Sequence, residues 1–485
     1  MASVQNDVRA RLASPDFDCG KIEIRELRGR EGISEPFAFD VEVVVPEDQT
    51  FGAAQVLGKQ ATIVFSLDDA DVRSVHGIVS AMRDEADSAD GYTRHHLHVV
   101  PRLFRMALSA TTEVFLGKSV VDIALDKLGR ANLSGDDVQV RIQAPPKPAE
   151  FRLQYAETDL AFVSRHLERA GIAYSFDHSG AKDVLVLSDN DAPFGNATGP
   201  DTIPYVARTQ KRGVVDVQIQ SAMMASKHTV NDYWSLHPKL NLEGEFKVDV
   251  PFAGQVVDFG TGQTSGQEAK ALAEIRGLSR QAVANGVEGA CNLPYPEAGR
   301  TIAIDGHPLL GSDRLLVVWV EHRLTQGARM HEGKDTHEYV NRFRLAATKQ
   351  AYRPPFVTPW PRIAGYVHAI TDAPLPGTQG IDPVLDDQGR YTVRFYFDEA
   401  DGAKRQQSSA RVRMLQPHVG GNYGMHFPLK PGIEVAVSFM EGDPDRPIIV
   451  GAVHDGLNQH VVTAANPKIN HLQSRSGIHI TMKDS

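Results

Sequence analysis

Several residue groupings in this 485-residue chain have types and spacings that could do chemistry. Gly117-Lys118-Ser119 is the ending of a phosphate-binding loop, whose amides and lysine would cradle a nucleotide. The glycine which that loop requires earlier is Thr112, so the segment reads as a helix N-terminus instead. Gly260, Gly262 and Gly266 are one residue too widely spaced for a dinucleotide fingerprint, and no strong strand pattern precedes them, so a flexible loop is expected. His95, His96 and His98 are metal-ligand types, and His96 and His98 would share a strand face. No carboxylate or cysteine converges on them nearby in sequence, so exposed strand histidines are expected. His331-Glu332 and His337-Glu338 begin the zinc-protease pattern, but Asp335 and Asn341 stand where its second histidine belongs. Glu441, Asp443 and Asp445 could form a carboxylate pair or a calcium loop. Calcium loops need ligands over a longer span, and Pro444, Arg446 and Pro447 make this a structural turn. Cys19 and Cys291 are far apart, lack a C-x-x-C partner or a local nucleophile signature, and read as buried thiols in a reduced compartment. The sequence predicts no catalytic, cofactor-binding or metal-ligating residue, and no enzyme.

Composition narrows the partners. With 41% hydrophobic and 23% charged residues the chain can bury a core, and its length allows roughly three domains of ~150 residues. A formal charge of −10 argues against a general nucleic-acid binder. No run of eighteen apolar residues is present to span a bilayer as a helix. Residues 1–20 lack the apolar stretch of a signal peptide, so export by another route is expected.

The elements that would position these residues are mostly strands. Residues 37–45 put Phe37, Phe39, Val41, Val43 and Val45 on one side. Further strands are expected at 61–67, 96–100, 151–155, 184–187, 214–219, 315–324 and 337–345. Three helices are expected. Ser119 opens one with Val121, Leu125 and Leu128 on a face, ending near Gly129. Thr158 or Glu157 opens the second, with Leu160, Val163, Leu167 and Ala170 before Gly171. The third follows Gly266, carries Leu272, Ile275, Leu278 and Ala282, and stops before Gly286. Strands without regular βαβ alternation give an α+β, mainly β fold. Pro354, Pro355, Pro359 and Pro361 around Trp360 then form a stiff joint. Beyond it, short strands at 391–397, 411–415, 434–440 and 448–453 suit a small closed barrel, with an OB-fold as the leading candidate.

At this point the residues carry a family resemblance. The run Asp387-Gln388-Gly389-Arg390-Tyr391-Thr392-Val393-Arg394-Phe395-Tyr396-Phe397-Asp398 resembles the first barrel strand of VgrG, the type VI secretion spike family. The stretch from Gly432-Ile433-Glu434-Val435 through Glu441-Gly442-Asp443-Pro444-Asp445-Arg446-Pro447 to Val450-Gly451 matches it more specifically. Val100-Pro101-Arg102-Leu103-Phe104-Arg105, Phe115-Leu116-Gly117-Lys118-Ser119-Val120 and Gln154-Tyr155-Ala156-Glu157-Thr158-Asp159 resemble that family's hub, in the family's order. Phe397 stands where the family commonly has Trp, and a second Trp is missing near Ala410, both changes in packing. Ile478, Ile480 and Met482 alternate with His479, Thr481 and Lys483, resembling the first strand of the family's β-prism needle, and the sequence stops at Ser485.

The resemblance implies a hub with two similar barrels over 1–353, a proline-rich linker at 354–362, an OB-fold barrel at 363–460 and the start of a trimeric β-prism, cut short, at 461–485. It also implies a homotrimer that joins a hexameric tube to a PAAR-repeat tip protein, contacts baseplate proteins, carries effectors or their adaptors, and meets a target-cell membrane transiently. The implied path runs from the bacterial cytoplasm into another cell. A phage or phage-like tail hub–spike would share this architecture. From a different class, OB-folds bind nucleic acid or sugar. Residues 389–455 carry eight Lys/Arg against eight Asp/Glu, and Phe395, Phe397 and Phe439 read as core, which disfavours a nucleic-acid groove.

Overall fold

Alternating apolar residues pair their strands through a buried face, and in strand Glu35–Pro46 all five of Phe37, Phe39, Val41, Val43 and Val45 are buried. The computed structural model describes residues 8–484 except 90, 191–198, 208–210, 249–252, 312, 328–336, 349–351, 373–381 and 399–408, and omits the side chains of 86–89. The pair His331-Glu332, with Asp335, lies outside the described residues.

Two units are present. One comprises Met1–Ser109, Val120–Pro146 and Thr158–Pro359, and the other Ala110–Ser119, Lys147–Glu157 and Trp360–Ser485. The chain therefore crosses between them repeatedly, the last time between Pro359 and Trp360. That the barrel unit would take in 110–119 and 147–157 has no signature in the sequence pattern.

The first unit is organised by a 12-stranded sheet. Its path runs Val8–Ala13, Gln60–Leu67, Ala70–Ala89, Tyr92–Val100, Glu35–Pro46 and Glu23–Gly32, then Leu315–Thr325, Glu338–Ala347, Asn285–Cys291 and Val214–Ser221. The strand set before residue 101 and the strand set after residue 213 are thus joined edge to edge. The seam pairs Glu23–Gly32 with Leu315–Thr325 in antiparallel register, Leu27 opposite Leu324.

At this seam a polar cluster is sealed in. Arg73 Nη2 donates to both Glu31 carboxylate oxygens at 2.5 and 2.7 Å, and its Nη1 donates to Pro296 O at 3.1 Å. His322 Nε2 lies 2.8 Å from Glu31 Oε1, and its Nδ1 lies 2.8 Å from the Tyr339 hydroxyl. Asn341 Nδ2 donates to that hydroxyl and to Leu293 O. All five side chains are buried. Burial alone would raise the Glu31 carboxyl, but the Arg73 charge and the His322 hydrogen bond hold it at about 2. Phe39 stacks on His322, with ring centroids 5.7 Å apart, across Gly29. A Cβ on Gly29 would stand 2.0 Å from the Phe39 ring, so only glycine fits there.

The three helices form as the spacing predicts. Asp159–Ala170 is capped by the Thr158 side chain, which accepts from Ala161 N at 3.1 Å, and ends on Gly171 at φ 69°. Gly266–Ala284 is capped by Ser265. Helix Val120–Arg130 buries Val121, Ala124 and Leu128, but Leu125 is 39% exposed, so its expected stripe was rotated by one position. The buried Lys127 instead reaches Asp159 at 2.8 Å. The proline-rich segment is pinned on the side of this first unit. Glu168 accepts from Val357 N, Thr358 N and the Thr358 hydroxyl, and the Arg276 guanidinium sits 3.5 Å over the Phe356 ring.

The second unit holds the closed barrel. Its hydrogen-bonded order is Val393–Phe395, Tyr366–Thr371, Glu434–Phe439 and Pro447–Ala452. Isolated bridges Met414–Ile449 (parallel) and Tyr391–Val412 (antiparallel) close the ring. A five-segment closed barrel of this connectivity is an OB-fold. Two expected strands are corrected: 391–397 shortens to Val393–Phe395, and 411–415 contributes only bridges. The strand at the middle of the pairing, Tyr366–Thr371, was not foreseen at all. Phe395 and Phe439 are buried and Phe397 packs on them, as expected of core residues. Phe151 and Leu153, from outside the 360–485 stretch, are buried in the same core.

Acid should loosen the first unit. Glu31 has a folded-state pKa below its unfolded value, so its contribution is complete above about 4.5 and is lost as pH falls towards 2. His178, whose Nδ1 accepts from His76 N at 3.1 Å, is pushed down by burial to about 3; its contribution is lost as pH falls from about 6.5. Thermal melts should therefore show a midpoint that falls progressively below about pH 6.5. Glu31→Gln, which strands a buried guanidinium, should cost about 3–5 kcal/mol in denaturant unfolding at neutral pH.

Candidate assembly site

The residues singled out for chemistry are occupied structurally. A strand, Gln255–Phe259, does precede the glycine loop, contrary to expectation, and helix Gly266–Ala284 follows it. Gly260 and Gly262 adopt positive φ. The loop amides of Gly262 and Gln263, however, donate to the Asp232 carboxylate, which fills the place an anion would take. Gly117, at φ 61°, leads into helix Val120–Arg130, and Lys118 lies over the Phe115 ring.

The histidine cluster differs most from its expectation. Carboxylates do converge on it, from neighbouring strands: His95 with Asp84 at 2.7 Å, His96 with Glu85 at 2.9 Å and His98 with Asp40 at 2.7 Å. His95 is buried rather than exposed. Among the described residues no three His, Cys, Asp or Glu are grouped to hold a metal ion. Asn341, at the failed protease position, belongs to the seam cluster, and His337 precedes its strand. Cys291 is buried, with its thiol raised by burial to about 12. Cys19 is only half-buried, against expectation, and burial and then Asp18 raise it to about 11.

The acidic turn is a latch inside the barrel unit. Trp360 Nε1 donates to Asp443 Oδ1 at 3.1 Å, Arg362 Nη1 to Glu441 O at 2.6 Å and Ile363 N to Gly442 O at 2.9 Å. Leu153 N donates to Asp445 Oδ1 at 2.9 Å, and Arg152 lies 3.6 Å from Asp445 Oδ2. The turn itself is closed by Met440 N to Arg446 O at 2.9 Å, with Glu441 at φ 57°. Three stretches of chain, 151–154, 360–363 and 440–447, are thereby tied together.

The arrangement with unmet needs lies further on. Strands Ile469–Gln473 and His479–Lys483 pair antiparallel, Leu472 opposite Ile480 and Asn470 opposite Met482. The expected single needle strand thus has a partner within the chain. Cross-strand neighbours share a face, so Leu472, Ile480 and Met482 line one side, continued by Ile478. Nothing among the described residues covers that side: Ile478 is 75%, Ile480 61% and Met482 62% exposed. The opposite side is mostly polar, with His471, Gln473, His479, Thr481 and Lys483 beside Ile469. A two-stranded ribbon with a bare apolar face is marginal alone and suits association. In the same unit a second hairpin, His418–Gly420 with Tyr423–Met425, exposes Val419, Tyr423 and Met425.

Comparison with known proteins agrees with this architecture. Residues 30–328 match the phage tail baseplate hub (GPD) family model, and residues 381–454 match the type VI secretion system/phage-baseplate injector OB domain. The chain belongs to the phage tail baseplate hub family. Its VgrG resemblance is borne out: the type VI secretion system spike protein VgrG1b of Pseudomonas aeruginosa is 28% identical over 467 residues, covering 94% of this chain. The chain spans 61% of that relative's length. Among solved structures, the E. coli c3393 protein, described as a type VI secretion component similar to T4 tail proteins gp27 and gp5, superposes with TM-score 0.66 at 21% identity. It covers 91% of this chain and 100% of its own. A chain of the lidless PdpA–VgrG complex superposes at 0.60 with 10% identity, covering 98% of this chain and 92% of its own. The hub fold and the OB-fold barrel are therefore those of this baseplate hub family. No helix among the described residues is long and apolar enough to cross a membrane.

Asp445→Ala should leave the Leu153 amide without its acceptor and destabilise the barrel unit by about 1–3 kcal/mol. Limited proteolysis should then cut within 360–460 at lower denaturant than in the wild type, while fragments of the first unit stay protected.

Proposed function

We propose that the chain is the hub and spike of a type VI contractile secretion system. In this reading it acts as a homotrimer that joins the hexameric tube to a PAAR-repeat tip protein, sits on baseplate proteins and carries effectors or their adaptors. It is a structural protein and not an enzyme, it leaves the cytoplasm with the injected apparatus, and it meets the target-cell membrane in passing. The domain scheme of a hub over 1–353, a joint at 354–362, a barrel at 363–460 and a needle start at 461–485 belongs to the same proposal.

The observation that carries it is the bare apolar face of the 469–483 hairpin. A row of Ile478, Ile480, Met482 and Leu472 costs free energy in water, roughly 25 cal/mol per Å² left exposed. Three copies wound about one axis would bury that row against its equivalents in a closed cyclic interface. The exposed Val419, Tyr423 and Met425 of the neighbouring hairpin support an association surface in the same unit. The latch around Asp443 and Asp445 supports a force-bearing role, because it ties three chain stretches into the barrel without relying on a free linker. Nucleic-acid binding by the barrel is disfavoured by its neutral charge and by Phe395 and Phe439 facing the core.

Light scattering of the purified chain at micromolar concentration should give a trimer mass. Ile480→Asp combined with Met482→Asp should lower that mass to the monomer without changing the far-ultraviolet circular dichroism of hub and barrel. A monomeric wild type would overturn the reading.

A further inference from the structure

The polar side of the 469–483 hairpin carries two imidazoles held close together. His471 and His479 stand on paired strands at diagonal positions, and their rings are stacked with centroids 5.6 Å apart. The backbone fixes both side chains from below through the register His471–Thr481 and Gln473–His479. The Thr481 hydroxyl lies 2.8 Å from His471 Nδ1 and Gln473 Oε1 lies 2.8 Å from His471 Nε2. His479 Nδ1 lies 3.0 Å from Gly477 O, which orients that ring by its Nδ1 edge and directs its Nε2 away from the turn. His479 is exposed and His471 is half-buried, so an ion can reach the pair without opening the fold.

We propose that this face binds a divalent transition-metal ion through His471 and His479. Neutral imidazole is a borderline ligand that suits nickel, zinc and copper, whereas calcium and magnesium seek oxygen cages that this face lacks. The hydrogen bonds from Thr481 and Gly477 supply the outer contacts that orient ligating histidines. Gln473 is displaced from His471 Nε2 when the ion arrives, or offers its own carbonyl oxygen to it. Exposed Lys483 shares the face and is the one neighbouring positive charge there; water and salt screen it. Two protein ligands leave the remaining coordination positions to water or to a group from another molecule. The site needs only one chain's hairpin, so it does not rest on the trimer reading. It uses the face opposite the apolar row, so both can hold at once.

Calorimetric titration of the full, untagged chain with nickel chloride in chelator-free buffer tests this. One ion per chain should bind near neutral pH. His471→Gln and His479→Gln should each weaken binding about tenfold or more, whereas His454→Gln should not. Because every variant could misfold, a second measurement uses the wild type. Nickel should protect His471 and His479, and no other histidine pair, from diethylpyrocarbonate. Absence of binding, binding undiminished in both variants, or protection at other histidines would each overturn the assignment.

Discussion

The salt bridge between Glu31 and Arg73, closed by His322, is the constraint on which the first unit depends. Its members come from three strands, Glu23–Gly32, Ala70–Ala89 and Leu315–Thr325, on both sides of the seam. A carboxylate and a guanidinium taken out of water are costly unless paired and fully hydrogen-bonded. Here the contacts of Glu31 with His322 and of Arg73 with Pro296 presuppose that the two strand sets are already in register. One residue of slip along the seam would turn His322 to the opposite face of the sheet, away from the Glu31–Arg73 pair. The cluster therefore selects one register of the 12-stranded sheet, while the apolar residues around it supply most of the burial. Gly29 belongs to the same device, since its missing side chain is what lets Phe39 lie on His322.

The barrel unit solves a different problem. A small OB barrel has few core positions, and this one fills them partly with Phe151 and Leu153 from a distant stretch. The Gly442-Asp443-Pro444-Asp445-Arg446-Pro447 turn then uses its carboxylates as acceptors for Trp360 and Leu153. Charge on this turn is thus an instrument of folding. A barrel stitched from three chain segments resists peeling better than one hung on a single connection.

The hairpin at 469–483 presents two chemically different faces. Its apolar row has no cover among the described residues, whereas its polar row remains open to solvent. A β-ribbon allows this separation because adjacent side chains point to opposite sides.

Much of this was legible in the sequence. The helix spanning Asp159–Ala170 was readable to within one residue, because Thr158 and Gly171 are local signals with local physics. The apolar alternation of residues 37–45 and of the barrel strands, and the ordered motif at 432–451, were sufficient for the fold class and the family. Long-range convergence was not legible. The carboxylates beside His95, His96 and His98 arrive from strands that sequence distance hides, and Asp232 reaches the glycine loop from 30 residues away. Strand Tyr366–Thr371 was missed because its buried residues, Ala369 and Thr371, are small and give no apolar alternation, and pairing on both edges is what makes it a strand. By itself, then, the sequence determined the local elements, the fold class and the family, since capping, turn formation and alternation depend on near neighbours. Tertiary structure alone decided which polar groups meet, which stretches complete the barrel and which apolar face is left bare, because those depend on contacts made only when distant strands come into register.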